Sequence, residues 1–244
     1  MPCHDNRGLR RSVQALASGL GLGRPGATAA GGIPAASIGV RPRRGVRRRG
    51  RRPGVYDGAM RERPVLETER LRLRPPVPAD CARIRDLAGD RRIADTTSIP
   101  HPYPDGLAEE WVAGRRRAWQ DSGSFALAVT RRDDTGLIGV ASLNLTDGGG
   151  EAELGYWIGV EHWGQGYGSE AARAIVDYGF GRHGLSRINA RCVSRNRASA
   201  RIIEGLGFRC VRQMADGFAR WGRPEAVDVY RLERPTWSPA GPDQ

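Results

Sequence analysis

The residues best suited to chemistry lie between Glu153 and Ala171. A carboxylate, Glu153, opens an apolar run, and three glycines, Gly164, Gly166 and Gly168, follow it. The pattern predicts a strand, a glycine turn and the first turn of a helix. Such a junction binds anions, because a helix N-terminus presents unpaired backbone N–H groups and the positive end of its dipole. Glycines let the backbone approach a phosphate with no Cβ in the way. One stretch therefore offers an anion cradle and a proton acceptor. A purely structural turn is the alternative on these residues alone.

Two familiar cradles are excluded or disfavoured. A P-loop needs Gly-Lys-Ser/Thr, and the chain contains no lysine. The same absence removes lysine Schiff-base chemistry. A dinucleotide fingerprint needs G-x-G-x-x-G and an acid about 20 residues on. Here the spacing is G-x-G-x-G with Ser169 next, and Ser186-Arg187-Ile188-Asn189 supplies no acid.

The elements that must position the cradle follow it. Ala172, Ile175, Val176, Gly179 and Phe180 recur at helical spacing from Ser169. Arg187 to Val193 reads as a strand. Ser199, Ile202, Ile203 and Leu206 share one stripe of a second helix, which Gly207 ends as a left-handed cap. Strand, Trp163-Gly-Gln-Gly-Tyr-Gly168, helix, strand, Asn196-x-x-Ser199 and Leu206-Gly207-Phe208 together resemble the GNAT acetyltransferase superfamily. The subgroup most resembled is the RimJ/RimL type, which acetylates protein N-termini. Leu66-Glu-Thr-Glu-Arg-Leu-Arg-Leu-Arg-Pro75 looks like that subgroup's first strand, and Ile99 to Tyr103 with Glu109-Glu110-Trp111 like its substrate-side segment. The usual superfamily motif has Arg or Gln where Trp163 stands, a departure common in the subgroup.

The resemblance implies an α+β fold with a central, mostly antiparallel twisted sheet flanked by helices. It implies an N-acetyltransferase using acetyl-CoA and no metal. The turn Gly164, Gln165, Gly166, Tyr167, Gly168 and Ser169 would hold the diphosphate. The strand end Ile158, Gly159 and Val160 would pair with the pantetheine amides as an added strand does, and Asn196 would bond near the thioester. A neutral amine must attack, so a base is needed. Glu153, beside apolar residues that would strengthen it, is the first candidate, and Glu151 the fallback. Many relatives use a helix tyrosine toward the departing thiolate. No tyrosine occurs between Ser194 and Phe208, so Ser199 takes that place. A strand N–H near Ile158 would meet the oxyanion. Tyr167 and Trp163 read chiefly as packing residues around the turn. Tyr103, Trp111 and the loop from Asp95 to Asp105 would line the amine side.

Composition divides the chain. Residues 1–62 carry 13 arginines against 3 acids, and the rest 26 against 24, so +10 of the net charge of +12 belongs to the first segment. That segment lacks the apolar surface to offset ordering entropy and reads as a disordered tail. Arg41 to Arg52 is a charge run suited to nucleic acid or to a solvated tail. Arg10-Arg11 precedes a stretch broken by Gly19, Gly21 and Gly23, unlike an export signal's apolar core. Scattered cysteines and histidines give no disulfide or metal spacing. The expectation is a reduced, cytoplasmic protein without a membrane span, monomeric or homodimeric. Its folded domain would cover residues 63–234, with a frayed end from 235 to 244. Its partner would be a primary amine, on a protein N-terminus or a small molecule. A CoA-binding module without turnover, or nucleic-acid association through the tail, are the competing functions.

Strands are predicted over Glu69–Arg74, 124–130, 137–145, 151–160, 208–214 and 227–232. Helices are predicted over 78–89 and 105–120. Strands in a run, then alternating with helices, suggest a mixed sheet with helices on its faces.

Overall fold

The computed structural model describes residues 63–146 and 150–237. The basic segment 1–62 and the last seven residues lie outside the described residues. One sheet of eight strands runs in the order β1-β2-β3-β4-β5-β6-β8-β7. The strands are β1 (Leu66–Glu67), β2 (Leu71–Arg74), β3 (Phe125–Arg131), β4 (Leu137–Leu145), β5 (Glu151–Ile158), β6 (Arg187–Val193), β7 (Arg209–Arg220) and β8 (Arg223–Glu233). The helices are α1 (Cys81–Ala88), α2 (Arg91–Ala94), α3 (Leu107–Ser122), α4 (Tyr167–Gly181) and α5 (Arg197–Gly205). The mixed, mostly antiparallel sheet with helices on both faces is the α+β fold expected.

Strand alternation separates the two faces. Ala152, Leu154 and Ile158 of β5, with Ile188, Ala190 and Cys192 of β6, pack against α4 and α5. Trp157 and Val140 face the other way, toward Ile84, Leu87 and Ile93 of α1 and α2 and Trp111 of α3. Helix α4 buries Ala171, Ala172, Ile175, Val176 and Phe180 almost completely. Each large side chain there contributes roughly 1.5–3 kcal/mol, as an upper estimate.

Among the described strands, only β5 and β6 pair in parallel, because α4 carries the chain across between them; every other neighbouring pair is antiparallel. Helix α5 begins where Asn196 Oδ1 accepts the Ser199 N–H at 3.1 Å and ends before Gly207 at φ +90°.

Three elements differ from expectation. Strands β7 and β8 form one long hairpin, whereas strands were expected only over 208–214 and 227–232. Gly217 lies in an irregular stretch of pairing between Met214 and Phe218. Pro224, with no N–H to donate, stands at the second residue of β8. Helix α4 starts at Tyr167, two residues before Ser169. Fraying was expected from Pro235, yet Trp237 packs on Phe180 with ring centroids 6.0 Å apart.

Candidate active site

β5 and β6 are paired only from Glu151–Leu154 against Arg187–Ala190. Beyond this, β5 stays with β4 as far as Ile158 and β6 stays with β8 as far as Val193. The two strands part, and a cleft of about 910 Å³ opens between them, lined from both faces of the sheet. The parting exposes the inner edge of β5. The Gly159 N–H bonds Ile138 O of β4 at 2.8 Å, so by strand alternation Ile158 turns its own backbone groups toward the cleft. Its carbonyl accepts the Trp163 indole N–H at 2.7 Å.

The glycine turn closes one end of the cleft. A short 3-10 turn, Val160–His162, leads into Gly164 at φ +74° and Gly166 at φ +83°. Both values lie in the left-handed region that favours glycine. No side chain caps α4. Helix geometry leaves the Tyr167, Gly168 and Ser169 N–H groups without an intrahelical acceptor. A Cβ on Gly168 would lie 3.1 Å from Ile202 Cδ1. The turn is therefore an uncapped helix start packed against α5, with the character of an anion site.

Titratable groups divide between the faces. On the α5 side, Tyr156 OH and Ser199 Oγ are 2.9 Å apart. Burial pushes the Tyr156 phenol well above its ordinary range, though the Ser199 bond acts the other way. It stays protonated and can lend only a hydrogen bond. Cys192, on the same face, has its thiol pushed up by burial to about 11. On the opposite face, Arg191 holds Glu153 bidentately, Nε to Oε1 at 2.9 Å and Nη2 to Oε2 at 2.7 Å. The pair leaves each Glu153 oxygen a second lone pair, at which a proton can be accepted.

Beyond Glu153 the cleft meets Asp95, Thr96, Thr97 and Ser98, which follow α2. The β7–β8 hairpin lends Phe218 and Val227 to this end. Its tip residue, Trp221, donates its indole N–H to Asp95 Oδ1 at 2.5 Å and meets His101 edge-on at 5.8 Å. Arg195 joins Glu225 of the hairpin, at 3.0 Å, to Asp95 O, also at 3.0 Å. The hairpin is thus tied to the segment after α2, beside the cleft.

Of the residues singled out from sequence, Glu153, Ile158, Gly164, Gly166, Tyr167, Gly168, Ser169, Asn196 and Ser199 line this cleft. Gly159, Val160 and Gln165 do not. Gly159 spends its N–H on the sheet, and Gln165 offers its carbonyl to Arg70 at 3.0 Å. Asn196 Oδ1 caps α5, leaving its amide NH₂ for a ligand. Glu151 pairs with Arg187 at 2.7 Å and lies outside the lining. Trp163, read as packing, is about half exposed. Tyr103 and Trp111 do not line the cleft; they line a small apolar cavity with Ile84, Ile99 and Trp157, the last of which also borders the cleft. Sequence reading missed Tyr156, whose signal was parity. It shares the face of Ala152 and Leu154, opposite to Glu153. The loop expected on the amine side meets the cleft at Asp95 to Ser98, but the bond that holds Asp95 to Trp221 was not anticipated. Among the described residues, no group of three His, Cys, Asp or Glu could hold a metal, and no helix is long and apolar enough to cross a membrane.

The acetyltransferase (GNAT) domain model matches residues 70–209. The chain is 30% identical over 173 residues to the uncharacterized N-acetyltransferase YoaA of Bacillus subtilis (strain 168), covering 70% of this chain and 98% of YoaA. Its fold is shared with RimL, the ribosomal L7/L12 alpha-N-protein acetyltransferase in complex with coenzyme A, at TM-score 0.62 and 18% identity over 70% of this chain and 98% of RimL. It is shared equally with spermidine N-acetyltransferase from Vibrio cholerae in complex with CoA and spermine, at TM-score 0.61 and 22% identity over 69% and 98%. The chain belongs to the GNAT family and is an acyl-CoA-dependent acetyltransferase.

Proposed function

We propose that the chain transfers an acetyl group from acetyl-CoA to a primary amine, in the manner of the RimJ/RimL subgroup. The observation that carries this reading is the 910 Å³ cleft with an uncapped helix start at one end and a free strand edge beside it. The Tyr167, Gly168 and Ser169 N–H groups would hold the diphosphate, where a helix N-terminus favours anions. The Ile158 backbone and the Asn196 amide NH₂ would hold the pantetheine arm and its thioester end. Bound acetyl-CoA supplies the activated acyl group.

The chain's own residues then do three things. The cleft holds amine and acyl carbon together, which can supply several kcal/mol of the barrier. Glu153, on the acceptor face, takes the amine's proton directly or through a water, at a lone pair that Arg191 leaves free. Ser199 turns its hydroxyl to the departing sulfur while Tyr156 donates to Ser199 Oγ. A phenol kept protonated by burial suits that orienting role and not proton release.

For the acceptor, Thr68-x-Arg70 and Trp163, as subgroup features, support a polypeptide α-amine. The hairpin tied down at Trp221 and Asp95 favours a second reading, a small amine that fits beneath it. Thiol release from acetyl-CoA with N-terminal peptides, polyamines and small amines separates them. Turnover restricted to peptides with a free α-amine supports the first reading, and turnover restricted to small amines the second. No thiol release with any amine rejects both.

A further inference from the structure

The segment Thr68 to Arg70, just before β2, has no part in the chemistry above, yet it grips the glycine turn from behind. Arg70 Nε donates to Glu170 Oε2 at 2.8 Å, with Nη2 at 2.7 Å from the same oxygen. The Arg70 backbone N–H reaches Glu170 Oε1 at 2.9 Å, and Thr68 Oγ1 donates to that oxygen at 2.6 Å. Arg70 Nη1 donates to Gln165 O, inside the turn, at 3.0 Å. Its guanidinium also lies 4.9 Å from the centre of the Tyr167 ring. Arg70 and Glu170 do not line the cleft, so neither is placed to touch a ligand there.

Glu170 sits in the first turn of α4. Burial pushes its carboxyl up, but the Thr68 and Arg70 bonds outweigh this and hold it below the usual range. A fixed negative charge beside a diphosphate cradle would by itself oppose the ligand. Its presence is explained if it carries the guanidinium that holds Gln165 O.

We infer that Thr68, Arg70 and Glu170 form a brace that fixes the glycine turn in its phosphate-binding shape, making them positioning residues for the cofactor. This rests on the reading that the turn holds the diphosphate of acetyl-CoA. Brace and bare charge predict opposite signs for Glu170→Gln. Removing a charge that merely repels the diphosphate would tighten CoA binding. Removing the brace loosens the turn and weakens it.

The test is calorimetric titration of CoA into the full chain, wild type against Glu170→Gln and Arg70→Lys, with thermal melts and steady-state kinetics. The expected result is a Kd for CoA and a KM for acetyl-CoA raised about fivefold or more in both variants, with kcat at saturating acetyl-CoA within about twofold of wild type. Equal or tighter CoA binding by Glu170→Gln overturns the brace. Should that variant melt early, Arg70→Lys decides alone. It keeps the charge but loses the fork, and wild-type affinity in it overturns the brace too. Wild-type protein that binds no CoA overturns instead the cofactor reading beneath the inference.

Discussion

Replacing Ser199 by alanine should slow the chemical step without loosening the cofactor. Ser199 Oγ stands 2.9 Å from Tyr156 OH, on the α5 side of the cleft. With Tyr156 as donor, the serine hydrogen is free to point at the departing sulfur. A hydrogen bond to a charged group is worth about 1.5–3 kcal/mol, which is roughly 10- to 150-fold in kcat. Tyr156→Phe keeps that hydroxyl and removes only its orienting partner. A neutral bond of about 1 kcal/mol gives roughly a fivefold loss. In Ser199→Ala the buried phenol loses its nearest partner, so a lower Tm is expected as well. The Ser199 carbonyl at 3.4 Å offers it a poorer one. The assay is thiol release at saturating acetyl-CoA and saturating acceptor, with a thermal melt of each variant. A kcat for Ser199→Ala within about twofold of wild type, in a folded protein, would refute the reasoning. So would a larger loss in Tyr156→Phe than in Ser199→Ala, since the tyrosine is held to act through the serine.

Glu153→Gln should lower kcat/KM for the amine by about 10² or more, the scale of a general base. Wild-type turnover in that variant would remove Glu153 from the reaction. Trp221 is the one described non-glycine residue with positive φ, at 53°, a conformation costing roughly 1–2 kcal/mol. Trp221→Gly should therefore leave the hairpin folded while removing its indole bond to Asp95. The expected outcome is a changed KM for the acceptor with an unchanged KM for acetyl-CoA, and equal acceptor KM would count against the tie. The Cys192 thiol is raised from 9.0 to about 11. Between those values the unfolded chain loses this proton and the folded chain does not, so its contribution is complete below about pH 9 and lost as pH rises toward 11. Cys192→Ala should flatten that part of the alkaline stability loss in a denaturant series, and an identical slope would show that the thiol stays accessible to water.

The strand, glycine turn and α4 were legible because their signals are local. Left-handed positions demand glycine, and Ala172, Ile175, Val176 and Phe180 repeat at the helical period. The same holds for α5, whose cap Asn196 and terminator Gly207 stand in the sequence. What was not legible depends on distant partners. Glu153 reads as a carboxylate in apolar company, and nothing near it announces Arg191, 38 positions on. The β7–β8 hairpin hid because Trp221-Gly222 is a poor match for the Asn-Gly expected of a tight turn. Its left-handed tryptophan is explained by contacts with Asp95 and His101, which lie more than a hundred residues earlier. Tyr156 was readable in principle, since counting by twos from Leu154 puts it on the α5 face.

The central claim is that the cofactor lies in the parted strands with its diphosphate on the glycine turn. Amide hydrogen exchange of the wild-type chain, with and without saturating CoA, tests it most directly. The account predicts slowed exchange at Tyr156, Ile158 and Gly164 to Ser169, with β1 to β3 unchanged. Binding of CoA that protects other segments and leaves these amides as they were would contradict it.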